Sequence, residues 1–322
     1  MVLHGRDRSL GSIKEDPVMT SWQDAAPPRT EDSNSNPIDV TIIPRARDIG
    51  DFTVRRALPA QQRMSVGPFV FFDQMGPATF EENQAIDVRP HPHIGLSTIT
   101  WLFEGEIRHR DSLGSDLVIR PGEVNWMTAG RGIVHSERSP QSERRAGARL
   151  SGIQSWVALP KDKEDCEPSF QHYTREHIPR LDDKGVQLDV IVGSAFGKSS
   201  QVQTISPTLY AELRLQEGQR FELPVLAEEQ AVYVAEGSLE IGGSRFGDGT
   251  LAVLKPETAA TLRALENTRC MLLGGDALDG PRVVWWNFVS SSRERIEQAK
   301  DDWRQGRFAM VEGDPEFIPL PD

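Results

Sequence analysis

Cysteine is nearly missing from this chain. Cys166 and Cys270 are the only two in 322 residues, and they lie far apart in no CxxC pair. That argues against a disulfide framework and against a thiolate metal site, and it makes a reducing cytoplasm the expected compartment (the nucleus as well, in a eukaryote). Long apolar runs are missing too. No stretch of about 18 uncharged apolar residues occurs, so no transmembrane helix is expected. The N-terminus also lacks the compact apolar core of a secretory signal. Positive charge is in deficit: 48 acids against 36 bases leave a net charge of −12. That balance repels phosphate backbones, and no basic run with interleaved aromatics offsets it, so direct nucleic-acid binding is not expected. The acidity reads as solubility. Histidine is scarce, with seven residues in all.

What remains is the composition of a globular protein, 38% apolar and 26% charged, with length for two domains. Residues 1 to 37 show no hydrophobic period and are rich in Pro, Ser, Asn, Asp and Glu, which predicts a disordered arm. Either Met1 or Met19 could start the chain. From Ile38 the texture changes to short runs separated by turn signals. STITWLFEGEIRHRD (97–111) reads as strand, turn at Glu104-Gly105, strand, and DLVIRPGEVNWMTAG (116–130) repeats the idea around Pro121-Gly122. In TLYAELRLQEGQRFELPV (208–225), Leu209, Ala211, Leu213 and Leu215 share one face, and Glu212 and Arg214 the other. Many short strands with Gly-rich turns predict an all-β protein.

One helix stands apart. SSSRERIEQAKDDWRQG (290–306) opens with a capping box, Ser291 as N-cap and Glu294 three residues on, and Gly306 is its stop. It is expected to pack on the second β unit. The halves also resemble each other. WLFEGEI (101–107) matches YVAEGSL (233–239), and RPGEVNWMT (120–128) matches RFGDGTLAV (245–253), so a duplicated β-barrel is expected. The division is placed at 38–165 and 166–322, the helix belonging to the second part.

Two of the seven histidines sit in RPHPHIG (89–95). On a strand, residues i and i+2 point the same way, so His91 and His93 share a face and Pro92 takes the other. GRGIVHSE (130–137) supplies a second such pair, His135 and Glu137. If these segments are neighbouring strands, three imidazoles and a carboxylate converge. That donor set suits a divalent borderline metal with open positions. His109, His172 and His177 have no such partners and read as ordinary residues. Ser136 points away from its neighbours by alternation, which disfavours a Ser-His nucleophile, and the glycines of AGRGI precede no helix pattern and make no dinucleotide fingerprint.

RPHPHIGLSTITWLFEG followed by VNWMTAGRGIVHSE resembles the pirin family of the cupin superfamily. GPFVFFDQMGP (67–77) and WNFVSSSRERIEQAKDDWRQGRF (286–308) fit the same family's terminal signatures, and the likeness spans about 38 to 322. The resemblance implies a bicupin, two germin-like barrels face to face with a C-terminal helix. It also implies iron ligands at His91, His93, His135 and Glu137, with one Fe(II) per chain. Mn, Ni, Cu and Zn suit the same donors. The duplication places the counterparts of His91 and His93 at about Leu223 and Val225, and those of the second pair near 260–264, so the second barrel is expected to hold no metal. By the same resemblance the activity is that of a quercetin 2,3-dioxygenase, with a flavonol and O2 as substrates and Glu137 taking the flavonol's proton. Trp126 and Met127 are candidate pocket walls, plain barrel packing being the alternative. Other members of the family are regulators that bind a protein partner without turnover, and that reading stands beside the first. A monomer is the expected state.

Overall fold

The computed structural model describes residues 20–21, 36–48, 53–82, 84–144 and 146–321. Most of the predicted disordered arm lies outside the described residues. Within it, Thr20–Ser21 forms a short strand against Val283 and Val284.

Short strands dominate, and they form two barrels, each from a seven-stranded and a four-stranded sheet. In the first barrel the four-stranded sheet aligns Asp87–His93, Ile133–Arg138, Ile107–Asp111 and Asp116–Ile119. In the second, Arg220–Leu223, Ala260–Ala264, Ser238–Ile241 and Ser244–Gly247 repeat that order. The duplication is visible in the turns. Gly105 and Gly237 follow equivalent strands with φ of 84° and 83°, a left-handed conformation that glycine adopts without a Cβ penalty. In the second matched stretch the register moves by two residues. Val124 pairs Trp101 as Leu251 pairs Tyr233, which makes Gly122 the counterpart of Gly249.

Edge strands cross the expected division. Ile38–Ile42 pairs with Leu251–Leu254 in the second barrel, and Ser169–Tyr173 pairs with Val124–Thr128 in the first. The chain therefore does not divide at 165/166. Each exchanged strand covers a sheet edge that would otherwise expose unpaired backbone groups.

The barrels meet through one continuous core. Phe72, Trp101, Trp126 and Ile153 from the first half pack with Tyr210, Tyr233, Met271 and Leu273 from the second. Polar bonds cross the same contact. The Trp101 indole donates to Glu212 at 2.8 Å, and the Tyr233 hydroxyl donates to Gln74 at 2.7 Å. Glu212, on the face that alternation marked as polar, is thus buried between barrels rather than solvated.

The helix spans Arg293–Arg304 and buries Ile296, Ala299, Lys300 and Trp303. Its N-cap is Ser292, which accepts from the Arg295 amide at 3.2 Å. Ser291, the expected cap, instead bonds Glu164. The helix also packs elsewhere than expected. Its apolar stripe joins Val283, Trp285 and Phe288 of a two-stranded hairpin and then Ile94 and Val134 of the first barrel. Alternation explains this: with the imidazoles pointing inward, Ile94 and Val134 point outward, and the hairpin and helix cover them. Gly95 permits the approach. Its φ is 69°, and a Cβ there would lie 1.9 Å from the Val289 carbonyl oxygen.

Candidate metal centre

Asp87–His93 and Ile133–Arg138 are antiparallel neighbours, with His91 opposite His135 and His93 opposite Ile133. The imidazoles of His91, His93 and His135 are buried, their centroids 4.4 to 5.0 Å apart. One nitrogen from each lies within 4.8 Å of the other two.

Backbone carbonyls decide which nitrogen two of the rings offer. His91 Nδ1 lies 2.9 Å from the Arg89 carbonyl oxygen, and His93 Nδ1 lies 3.0 Å from that of Asn287. A carbonyl only accepts, so both Nδ1 atoms carry hydrogen and both Nε2 atoms present lone pairs. His93 Nε2 faces His135 Nε2 at 3.1 Å. Two nitrogens, each about 2.1 Å from a shared cation at right angles, would stand about 3.0 Å apart. The donor set therefore fits a divalent metal.

Burial keeps these rings neutral. Desolvation lowers His91 to about 4 and drives His93 and His135 well below the ordinary imidazole value, with the neighbouring rings adding to the effect on the latter two. Neutral imidazole is the ligand form, so the site is ready for a cation at neutral pH without prior deprotonation. A sign follows for the metal-free protein. From 6.5 down to about 4 for His91, and in the same direction for the other two, the unfolded chain binds protons that the folded one refuses. Stability should therefore fall on acidification below about pH 6.5. Urea midpoints of chelator-treated protein at pH 7, 6 and 5 measure this, and a flat series would contradict it.

Glu137 stands slightly apart. A β-bulge between His135 and Glu137 shifts the register, so that Glu137 pairs Val88 on one side and His109 on the other. Its carboxylate groups with His109 and His135 rather than with His91 and His93. His135 is common to both sets. Desolvation raises the Glu137 carboxyl, opposed by His109 and by Thr100, whose hydroxyl donates to it at 3.4 Å.

His109 is not the partnerless residue expected from the sequence. It is buried beside His135, Nδ1 to Nδ1 at 3.4 Å, its Nε2 lies 3.0 Å from Asp111 Oδ2, and its ring stacks on Phe170 at 4.4 Å. The signal was present: His109-x-Asp111 is a third i, i+2 pair on a strand of the same sheet. Asn287 carried no such signal, because its contribution is a backbone oxygen delivered 194 positions along the chain. Trp156 likewise approaches His93 edge-on at 5.2 Å and stacks on Phe71 at 4.0 Å. Of the two expected pocket residues, Trp126 packs in the core between barrels, while Met127 lies in the cluster that contains Trp156.

The second barrel has a different interior. Gly105 and Gly237 mark equivalent turns, so His109 matches Ile241. Ile241 pairs Leu262 as His109 pairs Glu137, and Leu223 pairs Ala260 as His91 pairs His135, which puts the counterpart of His91 at Leu223, the expected position. Ala260 and Leu262 stand where His135 and Glu137 would be. Val225 is exposed and lies outside the strand. Leu188, Leu213, Val232, Leu239, Leu254 and Leu272 complete an aliphatic core. Among the described residues, metal-ligating side chains cluster only in the first barrel.

Two face-to-face antiparallel barrels in one chain, one with a histidine cluster and one packed solid, define a bicupin with a single candidate metal site. The chain belongs to the pirin family. Residues 51–157 match Pirin, and residues 210–309 match the Pirin C-terminal cupin domain. It is similar to a pirin-like protein of Caulobacter vibrioides, 48% identical over 88% of this chain and 100% of that one. It is also similar to the crystal structure of quercetin 2,3-dioxygenase from Acinetobacter baumannii, with a TM-score of 0.82, 31% identity, and 88% and 95% of the two chains covered. A bacterial pirin from Escherichia coli, solved in complex with nickel(II), shares the fold at a TM-score of 0.59 and 19% identity, over 74% of this chain and 99% of that one.

Proposed function

We propose that this protein is a quercetin 2,3-dioxygenase-type enzyme that holds one Fe(II) on His91, His93, His135 and Glu137. The observation that carries the reading is the convergence of three buried, neutral imidazoles beside a carboxylate whose proton affinity burial has raised. The similarity to the Acinetobacter baumannii quercetin 2,3-dioxygenase supports the substrate class.

The metal, when bound, supplies a Lewis-acidic meeting point for the deprotonated 3-hydroxyl of a flavonol and for O2. The chain's own residues do the rest. His91 and His93 are aimed by the Arg89 and Asn287 carbonyls, so no reorganisation is needed on loading. Glu137 takes the hydroxyl proton, and Thr100 steadies its carboxylate. Trp156 and Met127 line the apolar side of the barrel and keep water from the reacting atoms. One O2 is consumed per flavonol, and one ring carbon leaves as carbon monoxide.

The test is anaerobic reconstitution with Fe(II), then quercetin and O2, following the flavonol absorbance. Decay that disappears in His93→Ala is the expected result. Full iron occupancy with no decay would overturn the enzyme reading and favour a metal-dependent regulator that binds a protein partner. Nickel(II), the ion of the Escherichia coli relative, belongs in the same series because the donors do not discriminate strongly.

A further inference from the structure

Among the described residues, His135 is the one metal-facing ring that no backbone carbonyl orients. Its Nδ1 meets only His109 Nδ1, at 3.4 Å, and His109 Nε2 meets Asp111 Oδ2, at 3.0 Å. Asp111 is fixed in turn, since its Oδ1 accepts from the Leu113 and Ser115 amides at 2.9 and 3.0 Å. His109 and Asp111 are both buried, on the strand next to that of His135, with Asp111 directly opposite His135.

Hydrogen bookkeeping along this line has a definite outcome. An ionised Asp111 only accepts, so His109 donates from Nε2. Where Nε2 carries the only ring hydrogen of His109, its Nδ1 presents a lone pair and accepts. His135 therefore donates from Nδ1, which leaves its Nε2 lone pair directed at the point where those of His91 and His93 converge. We propose that Asp111 and His109 form a two-residue positioning relay that selects the metal-ligating tautomer of His135, and that neither is a ligand. It does for His135 what Arg89 and Asn287 do for the other two rings. The inference rests on the metal-centre reading above.

The decisive substitution is Asp111→Asn. The asparagine oxygen keeps the two amide bonds of Leu113 and Ser115, so the turn is preserved and the NH2 faces His109 Nε2. His109 must then accept at Nε2 and donate from Nδ1, which forces His135 to accept at Nδ1 and to carry its hydrogen on Nε2, where the cation binds. Loss of an outer partner of this kind lowers metal affinity by about 10–100-fold. His109→Gln should restore the line, since its amide oxygen can accept from His135 and its NH2 can donate to Asp111, whereas His109→Leu should not.

The measurement is Zn(II) affinity by chelator competition for wild type, Asp111→Asn, His109→Gln, His109→Leu and His135→Ala. Thermal melts confirm the fold, and ring-15N spectra of Zn(II)-loaded, histidine-labelled protein report each tautomer. Weakened binding in Asp111→Asn and His109→Leu, near wild-type binding in His109→Gln, and a His135 signal protonated at Nδ1 in the wild type are expected. Wild-type affinity in Asp111→Asn, with binding lost in His135→Ala, would overturn the relay and leave the metal centre standing. Two Zn(II) per chain, falling to one in His109→Leu, would make His109 a ligand and overturn it as well. No Zn(II) on the wild type would overturn both readings.

Discussion

His135→Ala is expected to abolish stoichiometric metal binding, with affinity reduced by well over about 100-fold, more than is lost with any outer partner. The other ligands of the cluster each belong to one grouping. His135 belongs to both, facing His93 at 3.1 Å on one side and grouping with Glu137 and His109 on the other. Removing it leaves His91 and His93 as a bidentate pair and separates Glu137 from them. The fold should survive. His135 is held neutral by desolvation and faces the other rings of the polar cluster, so its loss removes a cluster member rather than an apolar packing anchor. The signature is therefore a divorce of stability from metal. Wild-type protein at a free-metal concentration of 100 times its Kd gains about 2.7 kcal/mol, seen as a raised melting temperature, and the variant gains nothing. A variant that still melts higher with added Fe(II) or Zn(II) would show that the cation sits elsewhere.

Glu164→Ala is expected to destabilise the protein by about 3 kcal/mol, the lower end of the range for breaking a buried pair. Arg282 is fully buried, with its Nε 2.9 Å from Glu164. The same carboxylate accepts from the Ser290 hydroxyl at 2.8 Å and the Ser291 amide at 2.8 Å. Alanine removes all of these and leaves a guanidinium in the interior with Asp279 and the Leu159, Gly280 and Pro281 carbonyls as partners. Asp279 is half-exposed, which is why the cost falls at the lower end. The consequence extends to the metal centre. Glu164 anchors the start of the helix and the Phe288–Ser290 strand, and Asn287, whose carbonyl orients His93, immediately precedes that strand. Metal affinity should drop together with the urea midpoint. Glu164→Gln, which keeps an acceptor but not the charge, should recover part of both. A large stability loss with unchanged metal affinity would show that the hairpin does not transmit its position to His93.

The site was legible where chemistry repeats on a strand. His91-Pro92-His93 and His135-Ser136-Glu137 carry their geometry in their spacing, because side chains two apart on a strand share a face. The aliphatic interior of the second barrel was legible as well, since no histidine follows His177. Register was not. The two-residue move that makes Gly122 the counterpart of Gly249 depends on which residues pair across neighbouring strands, and alternation within one strand is blind to that choice. The bulge that turns Glu137 away from His91 is likewise a property of the pairing. The helix was located to within one residue at its start. Its docking partner was misjudged because an amphipathic stripe specifies that it will be covered, not by what.

By itself, then, the order of residues determined an all-β duplicated chain, one capped helix, and a set of inward-facing donors confined to the first half. Tertiary structure alone decided which donors meet, through the bulge at Glu137, the Asn287 carbonyl behind His93 and the Asp111–His109 line behind His135. Local patterns encode direction along a strand, whereas coincidence at this site depends on pairing and packing between segments as much as 194 positions apart.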